Sequence, residues 1–388
     1  MRTANLMAFA VAATSLVAFD AFAQQMTAVT QLGWLRNGEY APIMMAEAKG
    51  FFKDEGIDHK IVDGGPGKNP IPIVAVGQAQ FGLATNGMTV VTARLAKDPV
   101  DIVAVGTLFQ QAPTSYLSIA EPDAPAAKPQ DMIGKTLGTQ VGTEFLFAAF
   151  ARKTGIDASK VKVIPAQATV EPLMAGKMDY FLGWIVNQTY AIEQEAAKAD
   201  APPTVKGKEW QAIKLSDYGV RTYTDVIFTS GDTLKKNPEL VKRYLRAVQK
   251  GMQYVIDHPD ESVEILAKFP GQVEDAKKLA WRFKLQNTLF QSDFSKKNGP
   301  LTMDPAVWTD MINFLKDGDQ IPKTVPVAEA LKLLGQPGVT FIDIRDPREL
   351  WRDGTIPGAI NVTRGMLEMW IDPESPYAKD YFQSGNKF

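Results

Sequence analysis

From Thr27 to about Lys323 the sequence alternates short apolar runs with amphipathic stretches, and that alternation constrains the fold more than any other feature. Strand-length apolar runs separated by helix-length amphipathic ones predict an α/β architecture. The predicted strands are Ala28–Leu35, His59–Val62, Ile102–Leu108, Ser115–Ala120, Thr136–Gln140, Val161–Pro165, Tyr180–Trp184, Gln211–Leu215 and Asp225–Ser230. Asn69-Pro70 is an N-cap and first-turn pair before Ile71–Gly77. Asn237-Pro238 repeats that signal before Glu239–Ile256, and His258-Pro259 then stops the helix. Leu234–Leu315 reads as mostly helical. Glu121–Gln130, "EPDAPAAKPQ", reads as a loop crossing between two lobes.

A chain of 388 residues exceeds one core of ordinary size, so two or three domains are expected. Lys plus Arg is 42 against Asp plus Glu 44, a net charge of −2, which gives no electrostatic reason to expect nucleic acid or an anionic membrane as partner. The absence of cysteine excludes disulfides, thiolate metal sites and cysteine nucleophiles. Two histidines leave almost no material for a His-based triad or zinc site, so no catalytic residue, cofactor or metal is expected. His59 opens an apolar strand and His258 lies in a helix stop, both structural positions.

The N-terminus reads as a cleaved export signal over residues 1–23. Arg2 supplies the positive end, Leu6–Phe19 is nearly all apolar, and Ala21-Phe22-Ala23 fits the small-x-small pattern before Gln24. A membrane anchor is the alternative, but the apolar run is short for a bilayer. No cysteine follows the cleavage point to carry a lipid. The mature chain is therefore expected to be periplasmic and monomeric. A break in composition at "IPKTVPV", Ile321–Val327, marks the start of a further unit.

Polar and aromatic residues gather where predicted strands give way to helices. Trp34, Asn37, Glu39 and Tyr40 follow the first strand; Thr85, Asn86 and Gly87 precede Met88–Ala96; Gln110 and Gln111 follow Leu108. Thr139, Gln140, Gly142, Thr143 and Glu144 precede Phe145–Thr154, and Trp184, Asn187 and Gln188 follow "YFLGW". In open α/β sheets, ligands bind beyond the C-terminal ends of strands, where helix N-termini present free N–H groups. Plainer roles compete: half-buried packing for Trp34 and Trp184, N-caps for Asn86, Thr139 and Thr143, first-turn acids for Glu39 and Glu144. "DGGPGKNP", Asp63–Pro70, fails as a phosphate loop, because Val62 stands where its first glycine belongs and Asn69 where Ser or Thr belongs. Its glycines read as turn formers.

The Trp-x-x-Asn-x-Glu-Tyr-Ala junction, "AEAKGFFKDEGID", "GGPGKNPIPIVAVGQAQFGLA", "GTQVGTE", "AGKMDYFLGWIVNQ" and "DYGVRTYTDVIFTS" occur in that order. Together they resemble the periplasmic substrate-binding proteins of the NMT1/THI5-like group, which serve importers of the nitrate, taurine and thiamin-precursor type. The resemblance implies a two-lobed, type II-like binding protein with a hinge: lobe 1 from 27–116 with 225–323, lobe 2 from 117–224. Its expected partners are a small-molecule ligand and an ABC importer permease in the inner membrane. Residues expected at the ligand are Trp34, Asn37, Glu39, Tyr40, Asn86, Gln110, Thr139, Thr143, Trp184, Asn187, Gln188 and Tyr223. Tryptophans and amides favour a planar nitrogen heterocycle, a thiamin-pyrimidine precursor or flavin-like. Taurine, an alkanesulfonate or nitrate is the alternative and calls for helix N-termini and a cation; Arg36 is the one arginine in the junction clusters. The fungal pyrimidine synthases related to this group carry a cysteine-rich motif that is absent here.

Val339–Trp370, "VTFIDIRDPRELWRDGTIPGAINVTRGMLEMW", resembles the first part of a rhodanese domain, with Thr355 where histidine is common. Residues 327–388 are thus expected to form an incomplete rhodanese-like unit without the cysteine loop, and Asp343 and Arg345 to serve structure. Persulfide chemistry needs a thiolate. A binding protein–rhodanese fusion, with sulfur transfer in a longer form, is the reading of another class.

Overall fold

The structure, a computed structural model, describes residues 25–96 and 98–321, and toward the C-terminus residues 336, 340–356, 359–363, 366–367, 370, 376, 378–379 and 382. The expected export segment lies outside the described residues. The chain divides into two compact units, residues 1–322 and 323–388.

The first unit contains two five-stranded mixed sheets. One comprises β1 (Met26–Gln31), β2 (Ile57–Val62), β3 (Phe81–Ala84), β4 (Ile102–Phe109) and β10 (Thr224–Ser230), in the order β2-β1-β3-β10-β4. The other comprises β5 (Thr114–Ala120), β6 (Thr136–Thr139), β7 (Lys162–Pro165), β8 (Tyr180–Trp184) and β9 (Glu209–Lys214), in the order β7-β6-β8-β5-β9. Each sheet combines parallel pairs with one antiparallel insertion: β10 between β3 and β4, and β5 between β8 and β9. The chain passes from the first sheet to the second at residues 110–113 and returns after Lys214. The loop 121–128, expected to cross between lobes, instead joins β5 to β6 and stays with the second sheet.

Local chemistry sets the element ends. Asn69 and Asn86 accept from the N–H groups of Ile71 and Met88, and Pro70 takes the first helical position, where its missing N–H costs nothing. His258-Pro259 does end the helix Pro238–Asp257, but Pro259 opens another helix, Pro259–Leu266, for the same reason. The first strand stops at Gln31, short of the expected Leu35. Beyond it, single bonds tie the chain to the loop after β2: Leu32 N–H to Val62 O and Gly64 N–H to Trp34 O.

The helix Pro238–Asp257 presses Tyr244 onto the first sheet, its ring stacked on Phe81 at 3.7 Å and its hydroxyl 2.8 Å from Thr30 Oγ1. His59 completes this patch. Its ring stacks on Phe52 at 3.8 Å, with Nδ1 2.6 Å from Glu47 Oε2 and Nε2 2.8 Å from Thr30 Oγ1.

In the second unit, β11 (Ile342–Asp343) pairs in parallel with β12 (Ile360–Asn361), and Asp346 and Glu349 cap the helix Pro347–Asp353. Arg345 grips Asp343 through Nε–Oδ1 at 2.9 Å and Nη2–Oδ2 at 2.6 Å, a pairing that holds the turn after β11.

Candidate functional site

Two adjoining hollows, about 210 and 250 Å³, open between the sheets and share Thr85, Gln140, Leu182, Gly183 and Trp184. Trp34, Glu39, Asn187 and Gln188 line the first, and Asn86, Thr143 and Thr224 line the second. A wider hollow of about 600 Å³ lies elsewhere, at Gln111, Ile256, Asn287 and their neighbours, and has no aromatic lining. The interlobe cleft has the mixed apolar and polar lining typical of small-molecule sites, so we take it as the candidate site.

Backbone geometry places its two tryptophans. Trp34 follows β1, where Gly64 of the neighbouring loop bonds its carbonyl at 3.0 Å. A Cβ on Gly64 would lie 2.5 Å from Trp34 N, so glycine is required for this approach rather than for turn formation alone. Trp184 ends β8; its N–H donates to Gln188 Oε1 at 2.9 Å, and its ring meets Phe109 edge-on at 6.1 Å. Both tryptophans are half-buried against the core while lining the cleft, so packing and recognition are compatible at each.

On the second sheet, Thr139 and Thr143 share a hydroxyl contact of 2.6 Å, and Thr143 donates to Gln140 O at 2.7 Å. Thr143 makes no side-chain cap at the helix Glu144–Thr154; Glu144 accepts from Gly142 N–H instead. Thr139 is buried behind this turn. Asn86 faces the cleft and also caps its helix.

A buried ionic cluster lies under the first sheet's side. Asn37 Oδ1 accepts from Glu39 N–H at 2.8 Å and fixes the 3₁₀ turn Gly38–Tyr40, burying Glu39 and Tyr40. Arg282, from the helix Ala276–Leu289, is fully buried and meets Glu274 through Nε–Oε2 at 3.0 Å and Nη2–Oε1 at 2.5 Å. Its Nη1 lies 3.6 Å from Glu39 Oε1, and Lys278 Nζ lies 2.9 Å from Glu274 Oε1. Lys278 Nζ and Arg282 Nη2 also reach Asn187 Oδ1, both at 3.5 Å. Asp225 is wholly buried with neither carboxylate oxygen hydrogen-bonded.

Burial pushes the Glu39 carboxyl above its ordinary range against the pull of Arg282. Burial, then the Glu39 charge, holds Asp225 well above its own. Glu274 sits below the usual range, because Arg282 and Lys278 more than offset its burial. Burial, with Asp225 and Glu39 nearby, keeps the Tyr40 hydroxyl protonated.

Five expected site residues do not line the cleft: Asn37, Tyr40 and Thr139 are buried, and Gln110 and Tyr223 lie elsewhere. Gln110 donates to Thr302 O at 2.7 Å and accepts from Ser292 Oγ at 3.1 Å. The Tyr223 hydroxyl accepts from Asp304 N–H at 2.6 Å, with its ring against Trp308. Both line a separate hollow of about 330 Å³ beside the two crossings, where their polar atoms hold the fold. Sequence reasoning missed Arg282, Glu274 and Asp225. Arg282 and Glu274 come from segments read only as helical, and Asp225 is an acid opening an otherwise buried apolar strand, which was the available signal.

Among the described residues no group of His, Cys, Asp and Glu side chains could hold a metal, and no helix is long and apolar enough to cross a membrane.

Residues 37–262 match the NMT1/THI5-like family model, and residues 326–388 match a rhodanese-like domain model. The formylaminopyrimidine-binding protein of Halalkalibacterium halodurans is 23% identical over 317 residues, 78% of this chain and 89% of that protein. The riboflavin-binding protein RibY of Chloroflexus aurantiacus is 24% identical, covering 82% of this chain and 88% of its own. A 4-amino-5-hydroxymethyl-2-methylpyrimidine phosphate synthase of Legionella pneumophila is 27% identical over 62% of this chain and 73% of its own. The periplasmic aliphatic sulphonate binding protein SsuA of Escherichia coli shares the fold, with a TM-score of 0.56 at 14% identity over 78% of this chain and 91% of its own. The two sheets thus form a periplasmic binding protein fold, and the chain belongs to the NMT1/THI5-like family, with a rhodanese-like domain after it.

Proposed function

We propose that the chain is a periplasmic solute-binding protein that captures a planar nitrogen heterocycle, a thiamin-pyrimidine precursor or flavin-like, and presents it to an ABC importer permease. Lobe 1 (27–116 with 225–323) and lobe 2 (117–224) would close on the ring, moving about the two crossings. The observation that carries this reading is the cleft lining. Trp34 follows a strand of one sheet and Trp184 ends a strand of the other, both reaching one cavity, and Glu39, Asn187 and Gln188 supply polar groups beside them. Each aromatic stack contributes about 0.5–1.5 kcal/mol beyond area burial. The formylaminopyrimidine and riboflavin binders among its relatives support the same ligand class.

The sulfonate alternative has less support. Arg282 and Lys278 are committed to Glu274, and two further buried carboxylates, Glu39 and Asp225, disfavour an anion. Catalysis has little to work with either: the cleft lining contains no histidine, and the chain, its rhodanese-like part included, contains no cysteine. A thermal-shift screen of the mature chain against pyrimidines, flavins, taurine, alkanesulfonates and nitrate tests the reading. Stabilisation that grows with heterocycle concentration supports it. Stabilisation by sulfonates alone would keep a transport role but return both tryptophans to packing.

A further inference from the structure

The two hollows of the cleft differ in chemistry. The first has both tryptophans and, in Glu39, the one charged residue lining either hollow among the described residues. The second has no charged lining and collects hydroxyls instead: Thr85, Thr114, Thr143, Thr222 and Thr224, with the Asn86 amide beside them. Trp184 belongs to both hollows, and Thr114 pairs with it across the β5–β8 ladder, on the same face of the sheet. The hydroxyls therefore begin where the ring platform ends.

Most of these hydroxyls are unspent. Thr143 is committed to Gln140 O and to Thr139. Thr85, Thr114 and Thr222 are half-buried and make no side-chain hydrogen bond to another described residue. Thr224 is only 3% exposed; its carbonyl accepts from Thr107 Oγ1 at 3.0 Å, yet its own Oγ1 is withdrawn from water and has no partner. Buried polar groups are nearly always paired, so an unpaired hydroxyl in a cavity wall marks a place for a polar atom of the ligand. A hydroxyl both donates and accepts, which matches the hydroxyls of a polyol.

A phosphate fits this hollow poorly. No lysine or arginine lines it. Beside Asn86, the helix Gly87–Leu95 has its first three N–H groups taken, by Tyr223 O at 2.9 Å, Asn86 Oδ1 at 3.0 Å and Asn86 O at 3.1 Å. Beside Thr143, the helix Glu144–Thr154 opens on the Glu144 carboxylate, which accepts from Gly142 N–H at 2.8 Å and occupies the end that would favour an anion. Neutral hydroxyls need neither a cation nor free helix N–H groups.

We propose that the second hollow is a subsite for a neutral, polyhydroxylated substituent, so that the ligand is a planar ring carrying a sugar or sugar-alcohol arm without phosphate. The inference rests on the heterocycle reading and narrows it. The ring occupies the hollow of Trp34 and Trp184, and the arm passes Trp184 to reach the Thr224 hydroxyl. A site built to hydrogen-bond hydroxyls discriminates against a ligand that lacks them, because its own buried polar groups are then left unpaired.

The test is titration calorimetry with two matched sets: lumiflavin, riboflavin and flavin mononucleotide, and cytosine, cytidine and cytidine monophosphate. The sets separate an open-chain arm from a ribose ring. In at least one of them the arm should tighten binding about tenfold or more, and the added phosphate should reverse that gain. Thr224→Val keeps the shape of the side chain and removes its hydroxyl. It should weaken the armed ligand about five- to tenfold and leave the bare ring unchanged. Equal affinities for bare and armed rings, a phosphate that tightens binding, or a Thr224→Val loss shared equally by bare and armed rings overturns the proposal and leaves the heterocycle reading standing. No binding in either set overturns both. Should Thr224→Val fail to fold, the wild-type series decides by itself.

Discussion

The guanidinium of Arg282 and the carboxylate of Glu274 meet edge to edge, at 3.0 and 2.5 Å, with both side chains withdrawn from water. The same Glu274 accepts Gly38 N–H at 3.0 Å, so the pair also pins the turn that carries Glu39. Removing one member of a buried pair leaves the other uncompensated. Arg282→Met should cost about 3–5 kcal/mol in urea unfolding near neutral pH. Because pairing lowers the Glu274 pKa, its contribution is present above the ordinary carboxylate range and lost as pH falls through the lowered value. The deficit of Arg282→Met should therefore shrink toward acid pH.

Gly64 and Trp34 give a second test. A methyl group on Gly64 would push into the backbone around Leu32, Gly33 and Trp34, where little can yield. Gly64→Ala should lose roughly 1–3 kcal/mol of stability and weaken heterocycle binding together. Trp34→Ala, by contrast, should weaken binding about tenfold with a much smaller change in melting temperature. Equal loss of stability in both variants would make Trp34 a packing residue.

His59 supplies a pH dependence. Burial depresses its pKa, against the pull of Glu47. The folded state then binds fewer protons than the unfolded one just below the ordinary histidine value. Stability should be full above about pH 6.5 and decline as pH falls. Urea midpoints of the wild type and His59→Gln, compared at about pH 7.5 and 5.5, should show the larger acid loss in the wild type.

Phe51 and Phe52 are adjacent but not equivalent. Phe52 is buried against His59 and Tyr244, whereas Phe51 is half-buried and meets Tyr254 at 6.3 Å. Phe52→Ala should cost about 3–5 kcal/mol and Phe51→Ala clearly less, measured by chemical denaturation.

These contrasts show where sequence reasoning reaches and where it stops. Tyr180–Trp184 was legible as a strand from its short apolar and aromatic run, and its end placed Trp184 at the cleft. β3, only Phe81–Ala84, is too short to produce a pattern and was missed. Gln110 and Tyr223 look like site residues from their position after or before a strand, yet their partners, Thr302 and Asp304, are far away in sequence. Arg282 has the opposite problem. In "AWRFKLQNTL" it reads as one more basic residue on a helix, and only its meeting with Glu39 across the fold reveals its role. Local chemistry is written locally; charge compensation is not.

The insertion of β10 between β3 and β4 has a consequence for assembly. The second sheet is drawn from one continuous stretch, Thr114–Lys214, and can complete itself as soon as that stretch is available. The first cannot. β3 and β4 never touch each other, and until the chain through Ser230 arrives each presents a bare edge on that side. A chain emerging N-terminus first therefore finishes its later half before its earlier one, and for that interval two open strand edges are available to any other strand nearby.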